Sequence, residues 1–200
     1  MAKRGIKLVL YDHTVAGPPQ PVPGARFVRQ GIRGAAVVPG RRTLAEMIAD
    51  NGHERRRDLV LKMDAEGAEW QVLDEVSKET LGQFAQIVIE FHRMAKVLHV
   101  QGHAEVMAAI SKLSHTHVPV HAHGNNCRLP VWIGDLVLPD VLEVSWVRRA
   151  DYEGRIVPRT ESFPTNDDRP NLAHRPDLFL GWTFSFDRPG SPQRDAGPSV

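Results

Sequence analysis

A single cysteine, Cys127, has no partner for an internal disulfide, which points to a chain of the reducing cytoplasm. No apolar run approaches the roughly 20 residues that a membrane-spanning helix needs. The opening MAKRGIKLVLYD has too short an apolar segment for a secretory signal and no small-residue cleavage site. An excess of one charge is also lacking, with 25 Lys and Arg against 24 Asp and Glu and a net charge of +1. That balance gives no electrostatic basis for binding nucleic acid or an anionic membrane. The four tryptophans, Trp70, Trp132, Trp146 and Trp182, are scattered and build no stacking platform, and no internal repeat is present.

What remains is a 200-residue chain, 42% hydrophobic and 24% charged, enough for one globular domain with a real core. It is organised around Asp58–Trp70, DLVLKMDAEGAEW. An apolar run ends in Asp64, a turn with Gly67 follows, and Trp70, Val72, Leu73 and Val76 continue at helical spacing to about Leu81. Similar apolar runs are Ile6–Tyr11, ending in Asp12, and Gln86–His92, ending in Glu90 and His92. Arg26–Gly31 is a weaker strand, and the proline-rich Val15–Gly24 is a loop. Thr43 and Glu46 make a capping box for a helix that Asn51-Gly52 ends. Glu105–Leu113 is helical, and Val118–His123 and Val141–Val147 are strands with no helix between them. The alternation predicts an α/β fold with a mostly parallel, doubly wound sheet and an antiparallel strand pair at one end. Residues 1–150 form the domain, 151–186 an extension packed on it through Phe179–Phe186, and 187–200 a disordered tail.

In a parallel sheet the carboxyl ends of the strands share one edge, where ligands bind. Asp12 suits a ribose diol there, and equally a turn that it caps itself. Asp64 ends a buried run. Glu66 and Glu69 fit a first helical turn, where acids complement the helix dipole. Glu90 and His92 lie on the same side of one strand, as do His121 and His123 on another, so each is a candidate base, metal ligand or structural pair. Asn125 and Asn126 are read as turn residues, and His99, His103, His115 and His117 as surface or packing histidines.

LVLKMDAEGAEWQVL resembles the signature of the FkbM-type family of S-adenosylmethionine-dependent methyltransferases, in which an apolar strand ends in Lys-x-Asp followed by x-Glu-Gly-x-Glu. QIVIEFH resembles the family's next strand, and VHAHGNN with LPDVLEVSWVRR its closing strands, so the likeness runs from about Ile6 to Arg149. The resemblance implies a Rossmann-like class I methyltransferase sheet with IKLVLYD as its second strand. It implies that Asp12, with His13 beside it, holds the ribose of S-adenosyl-L-methionine, and that Gly31 and Ile32 flank the adenine. Asp64 and Glu66 then face the reaction centre, with Glu90 and His92 beside it. Such enzymes carry a first strand and a glycine-rich loop. Here only Met1–Gly5 precede the second strand, and no Gly-x-Gly occurs. The expectation is either a fragment of a longer chain or a degenerate domain, with a sheet lacking its first strand and open to self-association.

The leading reading is a methyltransferase acting on an oxygen of a small molecule or sugar. Asp64, Glu66, Glu90, His92 and His123 serve the acceptor, Asp12, His13, Gly31, Ile32 and Asp64 the cofactor, and no metal is required. The alternatives are a non-catalytic methyltransferase-like binding module, and a metal-dependent hydrolase-like site of Asp64, Glu90, His92 and His123.

Overall fold

The computed structural model describes residues 6–134, 136–158 and 162–180. Trp182, the tail 187–200 and most of the predicted arm Phe179–Phe186 lie outside the described residues. No helix among the described residues is long and apolar enough to cross a membrane.

The chain opens with β1 (Leu8–Tyr11) and β2 (Ala25–Val28), paired in parallel across the proline-rich loop. A second parallel pair, β3 (Gly31–Ile32) and β4 (Arg41–Arg42), leads into α1 (Leu44–Asp50). The capping box expected at Thr43 is present. Thr43 Oγ1 accepts from the Glu46 amide at 3.2 Å, and a Glu46 carboxyl oxygen accepts from the Thr43 amide at 2.7 Å. Asn51 caps the other end, and its amide donates to the Tyr11 hydroxyl at 2.6 Å, tying the helix back to β1.

The opening stretch forms β5 (Leu59–Asp64) and then α2 (Glu69–Glu75). The single helix predicted to about Leu81 is two. Val76 is extended (φ −61°, ψ 136°), and Ser77 caps a new short helix, α3 (Lys78–Leu81), by accepting from the Thr80 amide at 3.1 Å. A serine there offers the backbone a side-chain acceptor in a non-helical conformation, which competes with helix continuation. β6 (Phe84–His92), α4 (Val100–Thr116) and β7 (His117–Gly124) follow as expected, each longer than its apolar core. An unpredicted hairpin of β8 (Val131–Ile133) and β9 (Leu136–Leu138) precedes β10 (Val141–Arg148).

Four strands form the central sheet in the order β5-β6-β10-β7. β5 runs parallel to β6, and β10 runs antiparallel to both β6 and β7, so three strands share a direction. The final strands therefore pair antiparallel, as the sequence predicts. β10 is not at an end, however, but threads between β6 and β7.

One face of this sheet is the core. Ile87, Ile89 and Phe91 of β6 and Leu142, Val144 and Trp146 of β10 pack with Trp70, Leu73, Val106 and Leu113 of the helices, all at most 6% exposed. The other face carries Lys62, Glu90, Glu143 and Ser145 and is only half-buried, which gives the strands a clean period of two. Over its β7 edge lies the segment 162–180. Asn126, 3% exposed, donates to the carbonyls of Leu172, Arg175 and Pro176 and accepts from the Leu172 amide at 2.8 Å. Phe163 and Leu180 of that segment join the core.

His117 is fully buried at the start of β7. One ring nitrogen lies 3.0 Å from the Phe84 carbonyl and the other 2.8 Å from the Thr116 hydroxyl. A neutral imidazole satisfies both, donating to the carbonyl and accepting from the hydroxyl. Burial holds its pKa below the ordinary 6.5, with the Arg148 charge adding to the effect and the Phe84 contact opposing it. The unfolded chain thus takes up this proton first, so stability is full above pH 6.5 and falls as pH drops toward the folded-state value. In His117→Gln, which keeps the donor to Phe84, thermal melts at steps from pH 7 to pH 5 are expected to show a shallower decline than the wild type. An unchanged slope refutes the assignment.

Candidate functional site at the ends of β5 and β6

β5 and β6 are parallel neighbours in which Asp64 stands opposite Glu90, so both chains end at the same edge. The turn after β5 folds sharply: Glu66 is left-handed (φ 52°), and Gly67 has φ 105°. A side chain at Gly67 would also press on the Arg93 guanidinium, its Cβ 3.3 Å from the central carbon. This conformation brings Glu66 back over the strand ends.

The centre is His92, 9% exposed. Its Nε2 lies 3.6 Å from Glu66 Oε2, 3.8 Å from Asp64 Oδ1 and 4.0 Å from Glu90 Oε1. Its Nδ1 faces Glu69 Oε1 at 3.3 Å. Neither ring nitrogen makes a hydrogen bond to a described residue, and Nδ1 is fully shielded from solvent.

Glu69 behaves differently from a solvated first-turn acid. It is fully buried, with Oε1 accepting from the His92 amide at 2.5 Å and Oε2 from the Gly67 amide at 2.9 Å. It clamps the acidic turn to the end of β6. Trp70 adds a second clamp by donating from its indole to the His92 carbonyl at 2.8 Å.

Glu90 is the inner carboxyl. One oxygen accepts from the Asn125 amide at 3.0 Å, and the other lies 3.7 Å from Lys62 Nζ, which also reaches Glu143 at 3.8 Å. Burial, and after it the Asp64 charge, push the Glu90 carboxyl above its ordinary range, while Asn125 and Lys62 oppose the shift. The sequence reads Asn125 as a turn residue, and the structure gives it a further role. It is 7% exposed and touches this site, and the signal for it is alternation, since it continues the His121, His123 side of β7 toward Glu90.

His123 does not join the cluster. It lies one strand beyond Glu143, with Nε2 3.0 Å from Asp177, and its neighbour His121 sits 2.9 Å from Asp168. Both histidines hold the segment 162–180. The four-residue metal set of Asp64, Glu90, His92 and His123 is therefore not assembled, and the carboxylates that claim His121 and His123 come from far along the chain.

The residues assigned to the cofactor gather at the other small sheets. Asp12 ends β1, and its Oδ1 accepts from the Thr14 amide at 2.7 Å and from the Thr14 hydroxyl at 2.6 Å. These bonds hold its pKa below the ordinary carboxylate range. Asp12 thus does cap its own turn, with the Val15 backbone N–H adding to the hold on its charge. Gly31, buried in β3, leaves room for the His13 ring, since a Cβ there would come within 2.8 Å of His13 Nδ1. His13 Nε2 in turn lies 3.2 Å from Arg41. No hydrogen bond or ion pair among the described residues joins this group to the Asp64 cluster. A shallow cleft of about 350 Å³ lined by Leu10, Pro18, Pro21, Val22 and Phe27 contains none of the residues of either group.

Among known proteins, neither the curated sequences nor the solved structures give a match. The family comparison does, over residues 12–115, more than half of the chain. The match spans Asp12, Gly31, Asp64, Glu66, Glu90 and His92, and it stops short of His123. On that match, the chain belongs to the family of the methyltransferase FkbM domain.

Proposed function

We propose that the chain is an S-adenosylmethionine-dependent methyltransferase whose acceptor is an oxygen of a small molecule or sugar, on a Rossmann-like fold whose strands form the β1-β2 pair and the separate β5-β6-β10-β7 sheet. The observation that carries this reading is the coincidence of the family match with both residue groups: it begins at Asp12 and contains the whole cluster around His92. The residues fit the nucleoside half of the cofactor. Asp12 presents a half-buried carboxylate just past a strand end, suited to accept from a ribose hydroxyl, and His13, packed over Gly31, offers a wall for the adenine.

When bound, S-adenosylmethionine supplies an electrophilic methyl group on a sulfonium. The contribution asked of the protein is mainly placement of the acceptor in line with it. Asp64 and Glu66, exposed at the strand edge, are placed to orient a hydroxyl. Glu90 and His92 are the nearby groups able to take its proton.

Calorimetric titration with S-adenosylhomocysteine tests the reading. Saturable binding is expected, weakened roughly tenfold or more in Asp12→Ala, since a hydrogen bond to a charged group contributes about 1.5–3 kcal/mol. Asp12 is half-buried and its hydrogen bonds stay within its own turn, so the variant is expected to melt within a few degrees of the wild type. Folded protein that gives no heat, or an Asp12→Ala variant that binds equally well, refutes it.

A further inference from the structure

We propose that Asp64, Glu66 and His92 form a binding site for one divalent transition-metal ion, with Mn2+ the ion that fits best. The three donor atoms, one carboxylate oxygen each from Asp64 and Glu66 and one ring nitrogen from His92, all lie within 4.8 Å of one another. The set differs from the one drawn from sequence. His123 is held by Asp177 and Glu90 by Asn125 and Lys62, and Glu66 takes their place through the left-handed turn before Gly67.

The ring of His92 is the observation that singles this cluster out from an ordinary patch of surface acids. It is nine-tenths buried, makes no hydrogen bond to a described residue and points Nε2 at the carboxylates. Glu69 sits behind it, 3.3 Å from Nδ1. Nε2 is the ring nitrogen on the outward side, toward Asp64 and Glu66. It faces the oxygens of Asp64 and Glu66 at 3.8 and 3.6 Å, with no hydrogen bond joining them. The two carboxylates repel each other there, and a cation held between them and the ring offsets that repulsion. Ligands about 2.1 Å from a shared ion stand roughly 3–3.6 Å apart at angles from 90° to 120°, so the gaps need only small adjustments.

Two hard oxygens and one imidazole suit Mn2+ better than Mg2+, which favours all-oxygen octahedra, and better than soft-ligand metals. Asp64 and Glu66 have side chains 45% and 87% exposed. The remaining coordination positions therefore face solvent and are open to an oxygen ligand such as the acceptor hydroxyl. That role rests on the methyltransferase reading, whereas occupancy of the site does not.

The experiment is a titration of the full chain, stripped with EDTA, with MnCl2 and no cofactor or acceptor present, followed by the electron paramagnetic resonance signal of free aqueous Mn2+. One equivalent is expected to disappear from the free signal. Asp64→Asn and His92→Ala are each expected to weaken binding at least tenfold, and Glu79→Gln, on the exposed side of α3, to leave it unchanged. Asp64 is partly exposed, so its variant stays informative even if His92→Ala fails to fold. A free signal equal to the added Mn2+, or wild-type affinity in Asp64→Asn, overturns the proposal. Manganese binding without S-adenosylhomocysteine binding sinks the cofactor reading alone, and the reverse sinks the metal site alone.

Discussion

Trp70→Ala is expected to lose about 3–5 kcal/mol of stability, the usual cost of truncating a buried tryptophan. For a chain of this size each kcal/mol lowers the melting temperature by roughly 2–4 °C, so a drop on the order of 10 °C should be seen. Trp70 is 1% exposed and lies between α2 and the end of β6. Its ring stacks obliquely on Phe91 at 5.0 Å, with Lys96 Nζ 5.3 Å from its centroid. Alanine removes that packing and strands the His92 carbonyl, which the indole N–H satisfies. Trp70→Phe separates the two contributions. It keeps most of the apolar area and loses the hydrogen bond, for an expected cost of about 1–2 kcal/mol. Urea unfolding of both variants checks the ranking, and equal losses would mean that the ring is not packed as described.

The sequence shows this residue as core because its helical spacing with Leu73 puts both on one stripe. The same logic exposes every strand of the central sheet, since β6 and β10 alternate between residues that must be buried and residues that need not be. What local pattern cannot carry is the lateral order. β10 follows β7 in the chain, yet it inserts between β7 and β6, and only hydrogen bonding between distant segments decides that. The break at Val76–Ser77 was hidden for a related reason. Val76 and Leu81 continue an apolar stripe whether or not the backbone is continuous, so the serine cap was outvoted by periodicity. The hairpin β8–β9 was within reach of sequence reasoning: Gly134-Asp135 between two apolar triplets is a hairpin turn signal, and Gly134 does take a positive φ of 58°.

At the site, residues were legible and roles were not. Asp64, Glu66, Glu90 and His92 stand out because a buried strand ending in an acid is unusual, and the fold brings the three carboxylates to the His92 imidazole. His121 and His123 carry the same local signature as Glu90 and His92. Their partners are Asp168 and Asp177, more than 40 residues away, so nothing near them in sequence distinguishes a structural pair from a reactive one. Glu69 shows the opposite error. An acid in a first helical turn has an adequate explanation in the helix dipole, and that explanation conceals a fully buried side chain.

Glu69 therefore gives the sharpest test of how the site is held. Its two carboxyl oxygens each accept a backbone N–H, from His92 and from Gly67, and no solvent reaches them. Glu69→Ala leaves both donors without their partner, the His92 amide fully buried and the Gly67 amide partly so, and opens a cavity beneath the turn. Hydrogen bonds to a charged group contribute about 1.5–3 kcal/mol each, so a loss of about 3 kcal/mol or more is expected. Glu69→Gln preserves the shape and is expected to rescue only about half of that. An amide offers one acceptor, and its NH2 must face one of the two N–H groups, donor against donor. Amide hydrogen exchange separates this clamp from a general loss of stability. In the glutamine variant, exchange at Gly67 and His92 should accelerate more than at Ile87 or Val144, which lie in the same sheet away from the turn. A uniform acceleration, or a glutamine variant as stable as the wild type, would show that the acidic turn is held by something other than Glu69.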